Sequence, residues 1–154
     1  MRHHRAAWRV ERVGWAVGAL ALAATLLGAF GDGPLSHARR GSAGTLEVEY
    51  ERLVRSSAPT ALSIRVDPSV TPSGVLQLRI DQALVDRMEI DSIVPGPERQ
   101  QAGPGYTQFL FNTAAGTTPA AIEFRFAPAT FGKMRGGVSV EGRHRVLIEQ
   151  YAYP

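Results

Sequence analysis

A chain of 154 residues, 44% of them hydrophobic, is long enough for one domain with its own core. The formal charge of +3 is misleading, because from Arg39 onward twelve arginines and Lys133 face twelve Asp and Glu residues, a net of +1. Those signs are interspersed and leave no basic stripe, which excludes nucleic acid as a partner. The absence of cysteine excludes disulfides, thiolate metal sites and lipoprotein acylation.

The first twelve residues carry Arg2, Arg5, Arg9 and Arg12 against Glu11 and read as a short basic cytoplasmic tail. Val13 to Gly31 then forms a nineteen-residue stretch with no charge. At ~1.5 Å per helical residue such a stretch reaches roughly 28 Å, close to the ~30 Å hydrocarbon core of a bilayer. A transmembrane helix over 13–31 is expected, with the arginine-rich end held inside and the remainder exported. A cleaved signal peptide is the competing reading, with Ser36-His37-Ala38 or Ala29-Phe30-Gly31 as the cleavage site. Gly14, Gly18, Ala21, Thr25 and Gly28 recur at a 4-3-4-3 spacing that places them on one helix face, a pattern that lets helices approach closely. The excess of arginine over lysine and the abundant alanine point to a GC-rich bacterial genome. The lipid bilayer of an inner membrane and a membrane or envelope protein are therefore the expected partners.

Residues 32–44 are turn-rich and polar and read as a linker, leaving 45–154 as the exported domain. Leu46, Val48 and Tyr50 alternate with Glu47, Glu49 and Glu51, which predicts a half-buried strand. The three carboxylates form a solvated face or a surface for a cationic partner. Alternation recurs at Ala61–Val66, Val75–Ile80 and Met88–Val94, with Asp81–Arg87 as a helical turn or crossover. Residues 95–105, with three prolines and three glycines, predict an exposed mobile loop. Further strands are expected at Tyr106–Asn112, Ala121–Phe126, Val138–Glu141 and Arg145–Tyr153, with Gly136-Gly137 as the turn before the seventh.

Eight strands at this spacing predict an all-β fold, an immunoglobulin-like antiparallel β-sandwich preceded by the transmembrane helix. The layout of tail, span and exported sandwich resembles that of the copper-delivery factor of cytochrome oxidase. That family holds copper with a cysteine pair, so its role does not carry over to a chain without cysteine.

Chemistry is hard to find. His144, in Gly142-Arg143-His144-Arg145, is the single domain histidine and reads as an exposed turn residue. Asp81, Asp86, Glu89 and Asp91 cluster in sequence without the spacing of a calcium loop. No catalytic, metal or cofactor residue is expected. The last strand is unusual, with Val146 and Ile148 on one face and Leu147, Tyr151 and Tyr153 on the other. A strand apolar on both faces is either central or covered by something, so Leu147, Tyr151 and Tyr153 are the candidate docking residues. The expectation is a non-enzymatic accessory protein that presents a periplasmic sandwich to a membrane or envelope partner. The alternatives are a secreted domain binding carbohydrate or a small ligand, and a hydrolase with an unrecognised site.

Overall fold

The computed structural model describes residues 3–26, 37–42, 44–70, 73–113, 119–142 and 144–154, with helical side chains described over 11–23. Two compact units divide the chain, Met1–His37 and Ala38–Pro154.

Among its described residues the first unit contains the helix α1, His3–Leu26. Its run of alanine and leucine gives it high intrinsic helicity, and every described side chain from Glu11 to Ala23 is exposed. Among the described residues, no helix is long and apolar enough to cross a membrane. Of the expected span, only Val13–Leu26 lies within α1, fourteen residues, or about 21 Å of helix. Residues 27–31, its other part, lie outside the described residues. The charged Arg5, Arg9, Glu11 and Arg12 belong to the same helix, so α1 does not stop at the head of the apolar run.

The second unit is mostly strand, arranged in two sheets. The five-stranded sheet has the order β1 (His37–Ser42), β2 (Leu46–Glu51), β4 (Thr60–Val66), β9 (Ala120–Pro128) and β6 (Met88–Val94). The six-stranded sheet has the order β3 (Leu53–Arg55), β11 (His144–Tyr153), β10 (Gly132–Val140), β5 (Val75–Asp81), β8 (Tyr106–Asn112) and β7 (Arg99–Gly103). Period-two alternation buries one side of each central strand. Leu46, Val48 and Tyr50 of β2 face Leu62, Ile64 and Val66 of β4 in register within one layer, and Leu76, Leu78 and Ile80 of β5 supply the other. The layers meet at Phe109 of β8 and Phe124 of β9, whose rings sit 5.3 Å apart at 77°, an edge-to-face contact.

Three departures from the sequence expectation have local causes. Part of the expected linker, His37–Ser42, is strand β1, held by Arg39 reaching Glu47 at 3.1 Å and Glu49 at 3.2 Å. The expected loop 95–105 contains strand β7, because Pro104 and Gly105 (φ +81°) close a two-residue turn that pairs Gly103 with Tyr106. Gly136-Gly137 is not a turn but the middle of β10. A Cβ on Gly136 would stand 2.6 Å from Leu84 Cβ, so the glycine lets the short helix α2 (Gln82–Val85) pack onto the strand.

The pairing is also not antiparallel throughout. Arg52 carries the chain from one layer to the other, and β3 then runs parallel to the end of β11, Leu53 beside Tyr151 and Arg55 beside Tyr153.

Candidate functional site

The outer faces of the two sheets differ in chemistry. Outward positions of the five-stranded sheet carry Glu47, Glu49, Glu51, Glu89 and Glu123 against Arg39, Arg65 and Arg125. On β10 and β11 the outward positions are Lys133, Arg135 and Arg145 with Glu149, interrupted by Leu147, Tyr151 and Tyr153. The last three are the residues singled out in the sequence. Leu147 is 48% exposed, Tyr151 52% and Tyr153 36%. Leu53, which sequence reading missed because a three-residue strand shows no period, joins them at 43% exposure beside Tyr151.

β11 is neither a central strand nor a bare edge. β10 pairs with it from His144 to Ala152, whereas β3 covers only Tyr151–Tyr153 on its other side. The Tyr50 hydroxyl accepts from the Glu149 N–H at 3.4 Å, and the Gln150 side chain donates to the Glu51 carbonyl at 2.8 Å, tying β11 back to β2. Lys133 and Arg135 share the Glu149 carboxylate at 3.9 and 2.9 Å. The face therefore mixes exposed apolar side chains with cations.

Further up this face, Asp81 gathers three strands. Its Oδ2 accepts from the Gly137 N–H at 2.7 Å and from Arg145 at 2.6 Å. The ladder between β5 and β10 ends at Val138 and Ile80, and the Asp81 carboxylate takes the next amide. This carboxylate has a structural task.

An open trough of about 900 Å³ lies on the opposite layer, between Pro59, Thr60, Glu51, Glu89, Asp91 and Arg125. A bulge at Ile90/Ser92 breaks the register of β6 against β9 at Asp91. Two of the trough's charges are already engaged. The Glu51 carboxylate accepts from the Thr60 hydroxyl at 3.1 Å, and Arg125 donates to Glu123 at 2.7 Å. That hydrogen bond, with the charges of Glu123 and Asp91, raises the Arg125 pKa above its ordinary value.

The acidic sequence cluster does not converge. Asp81 serves Gly137 and Arg145, Asp86 accepts from the Gln82 side chain at 2.6 Å, and Glu89 and Asp91 line the trough. Among the described residues no group of three His, Asp or Glu side chains could hold a metal ion. His144 is not an exposed turn residue. It is the half-buried first residue of β11, its Nδ1 3.1 Å from the Thr45 hydroxyl. The row Glu47, Glu49, considered as a surface for a cationic partner, is met by this chain's own Arg39.

In α1, a Cβ on Gly14 or Gly18 would meet nothing within 4 Å, so that face is open at those positions. Ala21 lies on the same exposed stretch, whereas Gly28 and the Thr25 side chain fall outside the described residues. No protein-family model and no curated protein matches this chain.

Proposed function

We propose that this chain is a non-enzymatic, membrane-anchored interaction protein whose sandwich lies on the periplasmic side of a bacterial inner membrane. Its docking surface is the outer face of β11. The observation that carries this reading is the alignment of Leu147, Tyr151 and Tyr153, with Leu53 beside them, exposed on one sheet face. Tyrosine offers apolar area and a hydroxyl together, which suits a protein interface.

The uncharged run Val13–Gly31 with arginines ahead of it supports the anchor and its orientation. Gly14, Gly18, Ala21, Thr25 and Gly28 supply a face for a second helix within the bilayer. Ala38 bears on the choice between anchor and cleaved leader. It is 2% exposed in β1, so cleavage after Ser36-His37-Ala38 removes a side chain from the folded core. An immunoglobulin-like arrangement is supported by the strand orders. β2-β4-β9-β6 and β11-β10-β5 follow the order of a constant-type domain, and the hairpin β7–β8 extends the second sheet.

The test is purification of the intact chain from detergent-solubilised membranes, beside a Leu147→Asp/Tyr151→Asp variant. A reproducible membrane partner that is lost in the variant, with unfolding unchanged, is the expected result. No partner with the parent chain, or equal recovery with the variant, refutes the reading. Protease added to spheroplasts is expected to digest residues beyond 45 before lysis. The second reading, a secreted domain that binds a carbohydrate or small ligand, draws on the trough between Thr60, Asp91 and Arg125. It requires a mature N-terminus near Arg39, which mass spectrometry reads directly.

A further inference from the structure

The geometry points to an anionic phospholipid surface as the occupant of one end of this docking face, where β11 finishes and β10 begins. The inference deepens the membrane-tethered reading above and rests on it.

Phe131 is the first observation. It sits in the segment joining β9 to β10, immediately before Gly132, which pairs with Ala152. At 74% exposure it is the most exposed large apolar side chain described in the sandwich. Tyr151 and Tyr153 flank the same end of β11, and Leu53 stands beside Tyr151.

Charge is the second. Tyr151 lies between Leu53 and Lys133, Tyr153 is beside Arg55, and Arg52 precedes Leu53. Arg87 reaches this end as well, its guanidinium donating to the Lys133 carbonyl at 3.0 Å. With Arg135, these make five cationic side chains, all exposed, against the carboxylates of Glu149 and of Asp86, the residue before Arg87. Glu51 and Glu89 line the trough of the opposite layer.

The third observation is where the chain enters. Gly41 lies against the Leu46 carbonyl while Arg39 reaches Glu47 and Glu49, so β1 runs antiparallel to β2 and Ala38 lies toward Glu51. The sandwich thus begins at the end that carries Phe131, Tyr153 and Arg55. A chain anchored ahead of His37 enters the sandwich at this end.

Exposed aromatic rings settle at headgroup depth, and each Lys or Arg near an anionic membrane contributes about fivefold to partitioning. A cationic ring around apolar anchors, at the entry end of a tethered domain, matches a negatively charged lipid plane better than an acidic protein segment.

The absence of cysteine makes the test direct. The full chain carries a spin label at Thr130→Cys, beside Phe131, or at Ser73→Cys at the opposite end, in liposomes of phosphatidylcholine with or without phosphatidylglycerol. The label at 130 is expected to gain oxygen access and lose access to a water-soluble nickel chelate only in the anionic liposomes. Arg55→Glu with Lys133→Glu should return it to water, and the label at 73 should stay in water throughout. A label at 130 that is equally hydrated in both lipids, as an acidic protein partner predicts, overturns the proposal.

Failure of the anchor itself is read separately, as release of the chain by alkaline carbonate. Released chain is then sedimented with phosphatidylglycerol vesicles. Binding that falls about fivefold per cation removed sustains the lipid site without the anchor, and no binding refutes it.

Discussion

Arg145 lies across Gly137, so closely that a Cβ on the glycine would stand 2.3 Å from Arg145 Nε. The guanidinium is held there by Asp81, which also accepts the Gly137 N–H. Gly137→Ala pushes the guanidinium aside, and because Arg145 is flexible and more than half exposed, the expected loss is about 1 kcal/mol. Asp81→Ala is expected to cost more, about 1–3 kcal/mol, since it leaves an amide of a buried glycine without its acceptor. Urea unfolding of the full chain ranks the two. Equal losses would mean that the carboxylate acts only through the exposed ion pair.

Gly136 makes a sharper prediction, because the atom in the way is Leu84 Cβ and not the tip of a long side chain. Gly136→Ala requires α2 to lift from β10, at about 1–3 kcal/mol. Shortening the neighbour cannot relieve the contact, since Leu84→Ala keeps the Cβ. The double variant Gly136→Ala/Leu84→Ala should therefore unfold at lower urea than either single variant. Rescue by Leu84→Ala would place the clash further out on the leucine.

These two glycines also show what the sequence hid. Central strands such as Ala61–Val66 and Ala121–Phe126 are legible because each has a buried face and a solvated one, which writes period two into the residue types. Gly136-Gly137 erases the period for two residues in a strand that is otherwise regular, since close approach by Leu84 and Arg145 demands no side chain. Strand β7, RQQAG, is exposed at all but its last residue and has no apolar face to read. β3, at three residues, is too short for the alternation to repeat. The exposed apolar side chains Leu147, Tyr151 and Tyr153 on β11 were legible, because an outward apolar residue contradicts the alternation around it. Phe131 and Leu53 escaped notice, as neither lies in a periodic segment.

Asp67 supplies a pH prediction. The Ser69 hydroxyl donates to its Oδ1 at 2.5 Å and the Ser69 N–H at 2.9 Å, opening the 3-10 turn Pro68–Val70. These bonds, the hydroxyl's first, favour the ionised carboxylate and hold its pKa below the ordinary value. A depressed carboxylate pKa contributes stability above the unfolded-state value, and that contribution is lost as pH falls through the folded-state value. Ser69→Ala is expected to move the Asp67 titration upward in carboxyl-carbon NMR and to narrow this acidic window. An unmoved titration would show that the N–H bond alone sets the carboxylate.

The Phe109–Phe124 contact is where the two layers are joined, and both rings are fully buried. Phe124 stands in register with Leu62 on one side and Ile93 on the other, so the five-stranded sheet fixes its position. Phe109 is fixed in turn by Leu78 on β5. Neither backbone closes readily over a missing ring, and Phe124→Ala is expected to cost about 3–5 kcal/mol through lost burial and the cavity left behind. Edge-to-face geometry adds a pairwise component of about 0.5–1.5 kcal/mol beyond burial. A double-mutant cycle with Phe109→Leu and Phe124→Leu, which keep most of the apolar volume, isolates it in urea unfolding. Strict additivity would mean that the rings act as independent fillers. A coupling in the stated range would mean that ring geometry, and not volume alone, sets how the layers lock together.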